Sequence, residues 1–176
     1  MRLFVAVPVP DGLKKKIAVL GTELTQEGVS QVRPENMHLT LKFIGDVDEQ
    51  KANGVVKKLE KIKFSKFGCI VRGIGVFPNE SYVRVIWAGI ESGKQLEKLA
   101  AEIHEALAIY GEENEKFTAH LTIARVKKKL EIRNFLIKHK EDVFGKFNVG
   151  KIELVQSVLG GTDGPKYITI ASFPLV

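Results

Sequence analysis

The chain has 176 residues, 44% of them apolar and 27% charged, which are the values of a folded globular protein and exclude a disordered one. No apolar run reaches the length of a membrane span, and the opening Met1-Arg2-Leu3-Phe4-Val5-Ala6-Val7-Pro8 lacks a signal peptide's long apolar segment, so a cytoplasmic location is expected. A net charge of +6 and a pI near 9.3 favour anionic partners without naming one, and the single cysteine, Cys69, excludes an internal disulfide and reads as a core thiol.

In chain order, the opening residues predict a buried strand. Leu13, Ile17, Leu20 and Leu24 then recur at helical spacing, with Asp11 as N-cap. A polar stretch through Gly28-Val29-Ser30 leads, by Pro34-Glu35-Asn36, into a strand containing His38-Leu39-Thr40-Leu41 and ending at Gly45-Asp46. Ala52, Val55, Val56, Leu59 and Ile62 mark a second helix. Phe67 to Phe77 and Tyr82 to Ala88 read as a hairpin turned by Pro78-Asn79-Glu80-Ser81. A third helix starts at Ser92, with Gln95 at capping-box spacing and an apolar face of Leu96, Leu99, Ala100, Ile103 and Leu107. His120-Leu121-Thr122-Ile123 opens a further strand, followed by a short helical segment around Leu130 to Lys138. Closing strands are predicted over Phe147 to Leu159 and Tyr167 to Phe173. No Pro/Gly/Ser-rich linker intervenes, so a single α+β domain with antiparallel sheets spans 1–176, and its halves show a loose duplication.

The duplication centres on the two His-x-Thr-x segments. Residues two apart on a strand share a face, so His38 and Thr40 face one way and Leu39 and Leu41 the other; the same holds for His120 and Thr122 against Leu121 and Ile123. Each strand thus has an apolar back and a front with one proton-transfer group and one hydroxyl. Two imidazoles can divide acid and base work near neutrality, and hydroxyls can donate to oxygens that gain charge. Displacement at phosphorus uses that set fully. Zinc chemistry fits poorly, because neither histidine has a carboxylate close by in sequence, and no metal is expected. Lys42 is in phase with His38 and Thr40 and is a candidate phosphate contact. Strict alternation puts Phe43 and Arg125, each five residues after a motif histidine, on the wrong face unless the strands twist or bulge. His104 and His139 lie outside the pattern and read as structural or solvated, Trp87 as core, Arg84 as paired with a carboxylate across the hairpin, and Lys127-Lys128-Lys129 as a solvated turn.

The paired motifs resemble those of the two-histidine phosphoesterase superfamily. Pro34-Glu-Asn-Met-His-Leu-Thr-Leu-Lys-Phe-Ile-Gly45 and Phe117-Thr-Ala-His-Leu-Thr-Ile-Ala-Arg125 are similar to its RNA 2′,3′-cyclic phosphodiesterase branch, also called 2′-5′ RNA ligase. So are Gly73-Ile-Gly-Val-Phe-Pro78, Arg84-Val-Ile-Trp87 and Gly164-Pro-Lys-Tyr167. The resemblance implies two pseudo-symmetric lobes, helices on the outer faces of two antiparallel sheets, and a cleft between them. It also implies hydrolysis of an RNA 2′,3′-cyclic phosphate end, such as that of a tRNA fragment, to a 2′-phosphate without metal or cofactor. In that reading His38 and His120 are the acid–base pair, Thr40 and Thr122 donate to phosphate oxygens, Arg125 supplies a cation and Phe43 stacks on a base. Tyr167 has a weaker claim to the cleft. A monomer is expected. A binding module without catalysis, and an esterase for a small cyclic phosphate such as ADP-ribose 1″,2″-cyclic phosphate, stay open as alternatives.

Overall fold

A computed structural model of the chain describes residues 1–111, 116–160 and 164–176. Nine strands form two antiparallel sheets among these residues. The first sheet has the order β3 (Leu39–Asp46), β1 (Arg2–Val7), β8 (Lys151–Val158), β9 (Lys166–Pro174). The second has the order β2 (Val29–Gln31), β6 (His120–Val126), β5 (Tyr82–Glu91), β4 (Phe67–Asn79), β7 (Val143–Val149). The motif strands β3 and β6 belong to different sheets yet approach each other with Cα atoms within 8 Å.

Local chemistry explains most boundaries. Helix α1 (Asp11–Gly21) follows Pro10, whose carbonyl accepts from Leu13 N and Lys14 N at 3.1 and 3.0 Å. Asp11 is therefore the first helical residue, ion-paired to Lys14 at 2.9 Å, and not the predicted N-cap. Helix α2 (Glu49–Leu59) is capped by Asp48, which accepts from Lys51 N at 2.8 Å. Ser92 Oγ accepts from Leu96 N at 3.0 Å, as expected of a capping serine, although α3 (Gln95–Ala106) begins three residues later, past left-handed Lys94. The hairpin turn is tightened by Asn79, whose side chain accepts from Ser81 N and Tyr82 N.

Two strand boundaries differ from expectation. The strand predicted over Phe147 to Leu159 is broken at Gly150 into the end of β7 and the whole of β8, which lie in different sheets. The polar stretch near Ser30 contains a strand, β2, whose three residues are too few to show alternation.

One core serves both sheets. Leu3, Val5, Val7, Leu39 and Leu41 from the first sheet and Val71, Ala88, Leu121 and Ile123 from the second meet Ile17 of α1, Val55 of α2 and Leu99 of α3. A smaller cluster joins Ile86, Ala124 and Val126 to Leu24 and Ile132 at the start of α4 (Arg133–His139). Strand β1 is buried on both faces because its second face meets an aromatic cluster, Phe4 and Ala6 with Val155 and Tyr167. This is why its sequence reads as a continuous apolar run. Cys69 lies in the shared core, where burial pushes its thiol up to about 12, so it is inert packing. Among the described residues no helix is long and apolar enough to cross a membrane.

Candidate active site

The two motif segments have the same burial sequence. Over 38–44 and over 120–126 the residues run half-buried, buried, half-buried, buried, buried, exposed, buried. Strict alternation cannot give two consecutive buried residues. Strand pairing shows the cause. On β1, Ala6 pairs with Thr40 and its neighbour Val5 pairs with Lys42, which leaves Leu41 as an extra, unpaired residue. On β5, Trp87 pairs with Thr122 and Ile86 with Ala124, which leaves Ile123 unpaired. Each motif therefore carries a β-bulge at its fourth position.

The bulges settle which side chains share a face. Phe43 pairs with Phe4, two residues from Ala6, so it returns to the face of Thr40 and His38. Arg125 pairs with Val85, two residues from Trp87, and returns to the face of Thr122 and His120. Lys42 is the correction. It pairs with Val5 on the core side and is buried at 5% exposure, away from His38 and Thr40. The phase slip is legible in the second copy, where apolar Leu121 and Ile123 give way to Ala124 and Val126. In the first copy Lys42 conceals it.

Each histidine is flanked by two aromatic rings. His38 meets Tyr167 edge-on at 5.1 Å and Phe4 at 5.9 Å; His120 meets Phe77 edge-on at 5.1 Å and Trp87 at 6.0 Å. The same shielding burial pushes both imidazoles below the ordinary histidine value. His120 Nδ1 lies 2.7 Å from the Thr118 carbonyl, which opposes the shift, while Arg125 adds to it. A carbonyl only accepts, so Nδ1 carries the proton and Nε2 is the nitrogen free for chemistry. At His38 the Asn36 carbonyl, also two residues upstream, opposes the shift in the same way, but no hydrogen bond of ordinary geometry forms to Nδ1. Lys14 lowers and Glu153 raises the affinity of His38 for a proton.

Of the residues around His38, sequence reasoning names Tyr167 but overlooks Phe4, Asn36 and Glu153. Tyr167 joins the Phe4 cluster beside His38, and Asn36 Nδ2 donates to the Pro165 carbonyl at 3.0 Å, tying the start of β9 to the segment before His38. Glu153 pairs with Ala6 on the face that carries Thr40 and is held by Lys151 at 2.7 Å and by the hydroxyls of Thr169 and Ser172. Trp87, read as core, lies on the face that carries Thr122 with its ring over Gly75, where a Cβ would come within 2.3 Å of the indole. Among the described residues Arg84 pairs with no carboxylate: it donates to the Val126 carbonyl at 3.3 Å and to the Tyr82 hydroxyl, and its guanidinium sits 4.2 Å over the Tyr82 ring. Lys128 pairs with Glu27 at the exposed turn. His139 is buried between Asp142 at 2.7 Å and Glu23 at 3.2 Å, in contact with neither motif. Among the described residues no group of three or more His, Cys, Asp or Glu could hold a metal. Two surface depressions, beside Lys63 and Lys98 and beside Met1 and Ile170, contain neither motif.

Two half-buried imidazoles, two hydroxyls and a guanidinium lie on the far side of their strands from a shared core, a set of groups with the chemistry to serve an anionic centre that needs proton transfer on two sides. Comparison with known proteins places the chain in a family. The sequence profile of the LigT-like phosphoesterases matches residues 7–87. An Archaeoglobus fulgidus RNA 2′,3′-cyclic phosphodiesterase is 38% identical over 98% of this chain and 99% of its own, and one from Methanocaldococcus jannaschii is 36% identical over 97% and 98%. A Thermus thermophilus crystal structure superposes with a TM-score of 0.82 at 28% identity, covering 99% of this chain and 98% of its own. Escherichia coli LigT with 3′-AMP superposes with a TM-score of 0.83 at 21% identity, over 99% and 98%, a likeness of fold. The chain belongs to the LigT-like phosphoesterase family.

Proposed function

We propose that the chain is an RNA 2′,3′-cyclic phosphodiesterase that opens the cyclic phosphate at an RNA end and leaves a 2′-phosphate. The observation that supports this most is the matched pair of bulged His-x-Thr-x strands, each with its histidine, its threonine and a fifth-position side chain on one face. Full-length relatives bearing that name add to it.

In this reading one neutral imidazole takes a proton from water as the oxygen attacks phosphorus. The P–O3′ bond breaks, and the other imidazole, protonated, gives its proton to O3′. Thr40 and Thr122 donate hydroxyl hydrogens to the non-bridging oxygens, and Arg125 offsets their growing charge. Phe43, 71% exposed, offers a ring to the terminal base. All the protons are accounted for by the two histidines, so the reaction runs without metal or nucleotide. With an RNA 5′-hydroxyl in place of water as the nucleophile, and O3′ again the leaving oxygen, the same machinery makes a 2′-5′ link. A cytoplasmic monomer acting on RNA ends, tRNA halves among them, completes the proposal.

The test is product identity. An RNA ending in 2′,3′-cyclic phosphate, incubated in excess chelator, is expected to yield a 2′-phosphate and no 3′-phosphate. Tight binding without turnover would replace the proposal by a binding function. Much faster turnover of ADP-ribose 1″,2″-cyclic phosphate would move the substrate from RNA to a small molecule.

A further inference from the structure

The two bulges are alike in geometry but not in what holds them. A bulge takes its extra residue out of the ladder, so that residue's carbonyl needs a partner elsewhere. In the second sheet β2 runs along the outer side of β6, and Val32 N, just past β2, donates to the Ile123 carbonyl at 2.8 Å. In the first sheet β3 is the terminal strand, and among the described residues no strand covers its outer side. There the Leu41 carbonyl is met by a side chain, His104 Nε2 of α3, at 3.1 Å. Because a carbonyl only accepts, Nε2 carries the proton. The segment after α3 closes on the same edge. Gly111, at φ +80°, lies so near that a Cβ there would come within 2.5 Å of the Phe43 carbonyl.

We propose that His104 is the positioning residue of the first motif. By donating Nε2–H to the Leu41 carbonyl it holds the bulge that presents Phe43 beside His38 and Thr40. Without that bond, β3 can relax toward an unbulged register with β1. A one-residue slip turns Phe43 toward the core side and Lys42 toward the cleft. His104 touches no substrate in this account; it acts through Phe43, and so the inference rests on the proposed role of Phe43 as base platform.

The test is steady-state kinetics on an RNA cyclic-phosphate end with His104→Ala, His104→Gln, Phe43→Ala and the Phe43→Ala/His104→Ala double variant. Phe43→Ala is expected to raise KM about fivefold to tenfold, the loss of a base-stacking contact, with kcat little changed. His104→Ala is expected to do the same, and His104→Gln, whose amide can donate at similar reach, to restore most of the affinity. The double variant is expected to be no worse than Phe43→Ala alone, because the two residues act through one contact. A packing defect at position 104 would lower the melting temperature without following this pattern. Multiplying KM effects, or a Gln variant no better than Ala, would overturn the proposal. If Phe43→Ala itself leaves KM unchanged, it is the base-platform reading that fails.

Discussion

Leu41 and Ile123 are the unpaired residues of two matched bulges, and each has its carbonyl held from the outer side of its strand, by His104 Nε2 in one and Val32 N in the other. The bulge converts a two-residue front, His and Thr, into a three-residue front by adding the side chain five places past the histidine. The aromatic ring goes to one strand and the guanidinium to the other. In the proposed function the two strands thereby take different tasks, one for the base and one for the phosphate.

Burial lowers both imidazoles below the ordinary histidine value, so the rate–pH profile is expected to move to the acid side. One histidine must be neutral and the other protonated, which gives a bell. Lowering both pKa values shifts both limbs downward from about pH 6.5, the unperturbed value. Measuring kcat/KM across the range checks this. A flat profile, or a bell centred well above neutrality, would contradict it.

The same shift has a consequence for stability. Between the lowered folded pKa and the unfolded value near 6.5, the unfolded chain binds more protons, so stability rises with pH through that window. The stabilisation is fully present above the unfolded pKa and is lost as pH falls toward the folded one. Glu23 behaves alike at lower pH: Lys138 first, then His139, holds its carboxyl below 4.5 in the folded chain, and protonating it removes that contribution. Denaturant midpoints measured from about pH 7.5 down to about 5, the range that brackets the histidine titration, are expected to fall for the native chain. They should fall less for the His38→Asn/His120→Asn double variant.

Much of this was legible in the sequence. The duplicated tetrapeptide located both catalytic candidates, and helical spacing located α1, α2 and α3, because burying one stripe requires the 3.6-residue period. Three features were not legible for physical reasons. A bulge shifts strand phase by one residue without a residue type of its own, so Lys42 read as cleft-facing and Phe43 and Arg125 as misplaced. Gly150 separates β7 from β8, but their burial patterns join into what looks like one long strand. His104 sits on the border of an apolar helical face, and its partner is a carbonyl 63 residues away, which no local pattern encodes.

Arg125 and Lys42 make a contrasting pair. Arg125→Ala is expected to lower kcat/KM about tenfold to a hundredfold, the range for losing a hydrogen bond to a charged group. Arg125→Lys should recover part of that loss, since it keeps the charge but not the fork. Lys42→Met, on the core side of the bulge, should leave KM unchanged. Equal KM effects from Arg125→Ala and Lys42→Met would show that the bulge does not divide the faces as described.

Gly75 lies against the Trp87 ring. Its Cβ would overlap the Trp87 ring at 2.3 Å, so Gly75→Ala must displace an indole that also contacts His120. Overpacking of this kind costs about 1–3 kcal/mol, which in a chain of this size lowers Tm by roughly 2–12 °C. Activity should fall with it. A thermal melt and a single rate measurement suffice, and an unchanged Tm would mean that Trp87 is not packed as found.

The central claim is that His38 and His120 serve one phosphate. Rates on an RNA cyclic-phosphate end for His38→Ala, His120→Ala and the double variant test it most directly. Each single variant is expected to lose about 10²- to 10⁴-fold in kcat, and the double variant little more than either, because groups that act as a unit fail together. Near-native activity in either single variant, or losses that multiply in the double, would contradict a shared site.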